Sequence, residues 1–552
     1  MLDSRYTLLW RTLLLLALLG SVLVLRRLDP ETRWLERLRS RFYLGVPWGS
    51  ILSLGFVLFV YLVVQEGAVR WTEPLAIPFS AWSYFYLAGW LFASFAHVGP
   101  GHLLGNLTSA AILAPLAEYV WGHYPGTKDG AWHADPRLRA FVLFPSSVLG
   151  LGVFTSLFTW GPVIGFSGVV FAFAGFVLVR YPLLVVVALA ARSALRTVAA
   201  ALDEPIAVVE TTASVSPPWW YGIAVQGHAL GFLLGVLVGA ALLHRRGTRP
   251  DPLRLWLGSL LVGLSLSLWV VWWVRGAETF VLYRALGIAL VIALATLVTA
   301  ALAASDRQFV GTLSYRRTAV LLLMLPLVSM CLVAVPLNLT AVDGASPDEA
   351  VTVGDYTVFY DEEITNRTFS VVDVEAFGEA TDVTASGVIV VSEERTVWSQ
   401  EVTRAELRTH GEGSVRIGGL TWSERIEAER EGWVVDDDRV YRIWLEHDGE
   451  RTLAYASEPV VAPGSIDGHE VAVLAGNDGF RIAVDGEDRA HMPDLGESVT
   501  VEGIEFVREE AAEDGNENGD ERDDGDVLYA VYGDTAIPIA EEERYTSRQA
   551  DR

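Results

Sequence analysis

Two polar side chains stand in stretches that are otherwise lipid-soluble: Ser167, in Gly165-Phe166-Ser167-Gly168, and His228, in Gln226-Gly227-His228-Ala229-Leu230-Gly231. An ionisable group at membrane depth is unfavourable and marks function more often than packing. A serine hydroxyl is a weak nucleophile until a base takes its proton, and histidine is the usual base. Acyl transfer also needs donors aimed where the tetrahedral oxygen will carry charge. His102 and Asn106, spaced i, i+4 on one helix face, are candidates, with the Ser167 backbone amide in a helix's first turn. Other intramembrane hydrolytic chemistries lack their residues here. No His-Glu-x-x-His occurs, the apolar segments hold no aspartate pair, and no aspartate lies near His228 to complete a triad. Cys331, the single cysteine, excludes a disulfide framework and a thiolate metal site. Neither a metal nor a cofactor is expected.

Such a pair works only if membrane helices hold it. Apolar runs near 7–25, 48–65, 102–121, 138–157, 167–181, 182–202, 219–243, 255–274, 279–303 and 318–337 predict ten helices. The sixth contains Arg192 and Arg196, which must snorkel or face a partner. Residues 82–96 are aromatic-rich and read as an interfacial loop with short helices. Basic clusters at 26–41, Arg180, His244-Arg245-Arg246, and Arg307 with Arg316-Arg317 all fall on one side under alternation. The positive-inside rule makes that side cytoplasmic, so the N-terminus and the residues past 340 are expected outside. His228 then lies about 14 Å below the belt Trp219-Trp220-Tyr221, at a depth Ser167 can share. Gly231, Gly235 and Gly239 form a small-residue stripe that Gly168 and Gly175 could face, allowing close backbone approach.

The rest of the chain is different in kind. Residues 1–340 carry 24 Lys/Arg against 15 Asp/Glu, whereas residues 341–552 carry 17 against 52. The second part contains no lysine, and the whole chain has only Lys128. A dense carboxylate surface with arginine in place of lysine suits high salt, as in a halophilic archaeon. Short alternating runs at 356–360, 368–374, 387–391, 440–445 and 471–474 predict an antiparallel β-sandwich. Residues 509–526 read as an acidic, disordered loop. Asn338-Leu339-Thr340 and Asn366-Arg367-Thr368 are glycosylation sequons.

Three stretches together resemble the rhomboid family of intramembrane serine proteases: His97-x4-His102-x3-Asn106, Gly165-Phe166-Ser167-Gly168-Val169-Val170-Phe171, and His228-x2-Gly231-x3-Gly235. Each alone is ordinary membrane packing; their order and spans carry the resemblance, which covers roughly residues 48–243. It implies Ser167 as nucleophile and His228 as general base and acid. His102, Asn106 and the Ser167 amide would form the oxyanion hole. Gly165, Gly168, Gly231 and Gly235 would support the contact, and Phe171 would pack against His228 where the family often has tyrosine. Glu118 falls where the family has an acid near the inner end of its second core helix. The sequence Ala88-Gly89-Trp90-Leu91-Phe92 lacks the tryptophan-arginine pair common before His97.

The expected fold is a polytopic all-α membrane protein, a six-helix core with about four further helices, carrying a β-rich, sandwich-like C-terminal domain. The parts are an anchor helix and basic loop (1–47), the core (48–250), three added helices (251–340) and the acidic domain (341–552). The expected activity is cleavage of transmembrane protein substrates near the outer leaflet of the cell membrane, with the lipid bilayer but no nucleic acid as partner. Two alternatives stay open: a catalytically silent binder of membrane segments, and a transporter using His102 and His228 as proton relays.

Overall fold

The computed structural model describes residues 4–28, 34–122, 132–203, 218–275, 279–305, 307–311, 313–339, 342, 347, 349–365, 384–510, 525–533 and 535–545. Its contacts divide the chain near residue 340 into a helical unit and a β-rich unit.

The ten expected apolar helices are present. They are α1 Ser4–Leu28, α2 Trp48–Phe59, α3 Pro100–Trp121, α4 Phe144–Phe158, α5 Ser167–Arg180, α6 Pro182–Asp203, α7 Val225–Arg245, α8 Pro252–Ser265, α9 Arg284–Ala303 and α10 Tyr315–Leu337. Among the described residues six segments are long and apolar enough to cross a membrane: α3, α4 with the turns before it (Pro136–Phe158), α6 (over Pro182–Ala199), α7, α9 and α10. Several boundaries follow from local chemistry. Proline opens α3, α6 and α8 at the one helical position where its missing N–H is harmless. Asp251 caps α8 by accepting from Arg254 N at 2.8 Å, and His244 with Arg245 closes α7 at its negative dipole end.

One stretch departs from expectation. The runs at 255–274 and 279–303 are not helical throughout: α8 stops at Ser265 and α9 starts at Arg284. Between them Trp272–Arg275 and Thr279–Leu282 form an antiparallel hairpin, with Trp272 opposite Leu282. Ser267 already has φ +59°, and the Trp-Trp-Val and Thr-Phe-Val runs are strand formers. Hydropathy reports burial and cannot tell these from helix. The Trp272 indole donates to Ile223 O at 3.0 Å, tying the hairpin to the segment that enters α7.

α5 is the centre of the helical unit. Almost every residue from Val169 to Val179 is buried, so this 14-residue helix is enclosed on all sides and need not span a bilayer by itself. The aromatic-rich segment 82–96 holds one short helix, Leu87–Phe92, and no span.

The β-rich unit contains antiparallel sheets of four, eight and four strands among its described residues. The four expected strands that lie within those residues all occur inside longer strands; 368–374 lies outside them. The eight-stranded sheet and the sheet of residues 460–491 share a core that includes Trp433, Val440, Val473, Ile482, Phe506 and Leu528. The two ends of the expected disordered segment 509–526 are ordered. Ile504–Glu510 and Asp526–Tyr532 pair as strands with Glu510 opposite Asp526; alternation buries Ile504 and Phe506 while Glu505 and Glu509 face out, and Asp526 is held by Arg508 at 2.6 Å. Residues 511–524, like Asn366 and Lys128, lie outside the described residues.

Candidate active site

Glycine brings the two key helices together. A Cβ added to Gly231 would lie 2.0 Å from Gly168 O, and one on Gly235 would lie 2.0 Å from Ala172 O. From the other helix, a Cβ on Gly175 would meet Phe232 O at 2.2 Å. No side chain fits at these points, so α5 and α7 touch backbone to backbone. Ser167, first residue of α5, and His228, in the first turn of α7, therefore meet: Ser167 Oγ is 2.9 Å from His228 Nε2. The Phe171 ring stacks on the imidazole with centroids 4.2 Å apart and planes 13° apart. His228 Nδ1 is buried with no partner among the described residues, so stacking and not a carboxylate fixes the ring plane.

His102 and Asn106 converge on the same spot from α3. Gly165 has φ +119°, and a Cβ there would lie 2.5 Å from His102 Cε1 and 3.4 Å from Asn106 Nδ2. Glycine is required twice over, by the backbone conformation and by these two side chains. Asn106 is buried, and its Nδ2 has no acceptor among the described residues. A buried amide donor with nothing to bind is unfavourable unless a ligand atom is to accept from it. The Ser167 amide, in the first turn of α5, is one of the N–H groups that no intrahelical carbonyl can satisfy.

Several positioning residues were not legible in the sequence. Gln65, at the end of the π turn that extends α2, works as a substitute strand. Its Oε1 accepts from His97 N at 2.8 Å, and its Nε2 donates to His97 O at 2.8 Å and to Leu75 O at 2.9 Å. His97 Nε2 accepts in turn from Phe166 N at 3.4 Å, next to the serine. Gly165 N donates to Ala93 O at 2.7 Å and Ala81 N to Val163 O at 2.9 Å. These bonds anchor the loop before His97 without a tryptophan-arginine pair. Gln226, two residues before His228, bonds Phe158 O at 2.9 Å and accepts from Trp160 N at 3.0 Å. A lone amide in an apolar run was the signal available.

Asn338 requires a correction. It was read as a sequon, yet it is buried, and its Nδ2 donates to Thr159 O at 2.8 Å and Leu157 O at 3.3 Å. Its backbone carbonyl accepts from Tyr84 N at 2.9 Å. An amide held in this way is no acceptor for a glycan; it pins the end of α10 to the loop leading to Ser167. Glu118 is equally occupied, accepting from Gly49 N (3.1 Å), Ser50 N (2.8 Å) and Ser50 Oγ (2.7 Å) at the start of α2. It is a buried helix cap, stabilised by the positive end of that helix.

Beside the Ser–His pair lies a cavity of about 30 Å³ lined by Ser94, Thr155, Ser156, Gly165, Gly227 and His228 among others. It has room for a group the size of a methyl or a water. A serine hydroxyl in contact with an imidazole, free donors on one side and a shallow recess on the other is an arrangement suited to acyl transfer.

Residues 84–245 match the family model of the Rhomboid domain. No curated protein and no solved structure matches the chain.

Proposed function

This chain belongs to the rhomboid family through its domain at residues 84–245, and from that premise we propose that it is an intramembrane serine endopeptidase. The observation that carries the proposal is the 2.9 Å contact of Ser167 Oγ with His228 Nε2 inside that domain. Ser167 Oγ attacks a peptide carbonyl carbon as its proton passes to His228 Nε2. The carbonyl oxygen becomes an oxyanion and accepts from Asn106 Nδ2, His102 and the Ser167 amide. When the C–N bond breaks, the imidazolium returns the proton to the leaving amine. Water, deprotonated by the same ring, then releases the acyl group from Ser167.

The substrates are transmembrane segments of other proteins, met within the bilayer. A helical segment must first unwind, because its carbonyls are already hydrogen-bonded. The 30 Å³ recess favours a small side chain at the cut. With the basic clusters cytoplasmic, both the cut and the β-rich unit lie on the outer side.

The deciding experiment reconstitutes the full chain with a generic rhomboid substrate and compares wild type, Ser167→Ala and His228→Ala. Cleavage by wild type alone is expected, with fluorophosphonate labelling of Ser167 that depends on His228. Equal cleavage by all three, or binding of segments with no cleavage by any, refutes the assignment.

A further inference from the structure

Two arginines sit midway along α6. The helix has 22 residues and is about 33 Å long; Arg192 is its eleventh residue and Arg196 lies one turn further on. The i, i+4 spacing puts both on one face. That face is turned to α3, since a Cβ on Gly105 would lie 3.6 Å from Arg196 Nη2. Gly105 falls between His102 and Asn106, so this guanidinium is within about one turn of the donors beside Ser167. Arg192 Nε is buried without a partner among the described residues, while Arg196, beside Gly105, is exposed on the outer surface of the helical unit. The acids of the two helices are remote. Glu118 is about 20 Å along α3 from Gly105 and already bound, and Asp203 is about 10 Å along α6 from Arg196.

Like charges one turn apart repel, and cations in hydrocarbon demand a counter-charge. Snorkelling relieves such side chains near helix ends, which Arg192, halfway along, cannot reach. We propose that the α3–α6 seam is a selectivity site for membrane segments that carry a carboxylate, Asp or Glu, within a turn or two of the bond presented to Ser167. The inference rests on the protease reading above. The guanidinium fork grips a carboxylate through two parallel N–H···O bonds, which fixes the segment's register as well as its affinity.

The test uses the full chain in phosphatidylcholine vesicles and two transmembrane substrates that differ by one Asp→Asn change beside the cut. Wild type is expected to favour the Asp substrate by about tenfold in kcat/KM. Arg192→Gln and Arg196→Gln should bring that ratio close to one. Because each ratio is taken on one enzyme sample, partial misfolding cancels. Arg196→Glu with an arginine in the substrate position should restore a preference. Equal, Ser167-dependent cleavage of both substrates by wild type overturns the selectivity site and leaves the protease reading intact. Absence of any Ser167-dependent cleavage overturns both. Activity that instead requires phosphatidylglycerol in wild type, and not in the glutamine variants, assigns the pair to a lipid phosphate and overturns the substrate role.

Discussion

Replacing Gly231 by alanine tests whether helix contact sets the reactive distance. The added methyl would begin 2.0 Å from Gly168 O, where a carbon–oxygen contact settles at about 3.3 Å. The helices must therefore separate by about 1.3 Å at that level, beside the residue that follows Ser167. The Ser167–His228 hydrogen bond bridges the same two helices at 2.9 Å. Opened by that amount it reaches about 4 Å, beyond hydrogen-bond range. A misplacement near 1 Å typically lowers the rate by about 10²-fold. Gly231→Ala should thus reduce kcat/KM by about two orders of magnitude, with an overpacking destabilisation of about 1–3 kcal/mol. Gly239→Ala is the reference, since its Cβ would meet Phe176 O at 3.0 Å and asks for a far smaller shift. It should reduce activity only a few-fold. Cleavage of a fluorogenic transmembrane substrate by folded, reconstituted protein reads both. If Gly231→Ala stays folded and cleaves within about threefold of wild type, the glycine contact does not control the dyad.

Four further outcomes are expected. Glu118→Ala strips the acceptor from two amides and a hydroxyl at the start of α2, and at about 1–3 kcal/mol for a buried unsatisfied donor it should lower the thermal midpoint by several degrees in detergent. Asn338→Ala frees the Thr159 and Leu157 carbonyls; hydrogen exchange over residues 157–165 should accelerate and cleavage fall several-fold, while fold and helix content persist. In the β-rich unit Arg430, with side chain 1% exposed, bonds Glu543 at 2.7 Å and 2.8 Å; Arg430→Ala leaves that buried acid only Arg439 at 3.3 Å and the Tyr545 hydroxyl at 2.9 Å, and should destabilise by about 1–3 kcal/mol, read by exchange of Ser423–Val435. Burial alone would raise the Asp355 carboxyl, but bonds from Arg395 and Ser392 outweigh it and hold the group below the usual carboxylate range. A depressed acid adds stability that is complete above about pH 4 and is lost as pH falls through its folded value, so the sheet around Asp355 should loosen only in strong acid, and Arg395→Gln should remove that dependence.

The apolar helices were legible because hydrocarbon leaves the backbone little alternative. The pairing of Ser167 with His228 was legible because serine next to glycine and histidine within a span are conspicuous against leucine and valine. The hairpin Trp272–Leu282 was not, since aromatic and β-branched residues serve a buried helix and a strand equally well. Gln65, Gln226 and Asn338 were missed for another reason. Each acts on backbone groups far away in sequence, and backbone atoms leave no trace in the order of side chains. Asn338 even carried a misleading pattern, since a three-residue motif says nothing of whether its amide is buried.

The latch at the end of α10 limits where this chain can be cut without loss. The matched domain closes at Arg245, yet the loop that presents its serine is latched by Asn338, far downstream, and its His97 backbone by Gln65, upstream of Tyr84. The homologous segment and the mechanically self-sufficient segment are different lengths of chain. Excised at its family borders, the domain would keep every reacting atom and lose the clasps on either side of them. For this chain the last helix is no detachable addition, because its end holds the segment that runs from α4 toward Ser167.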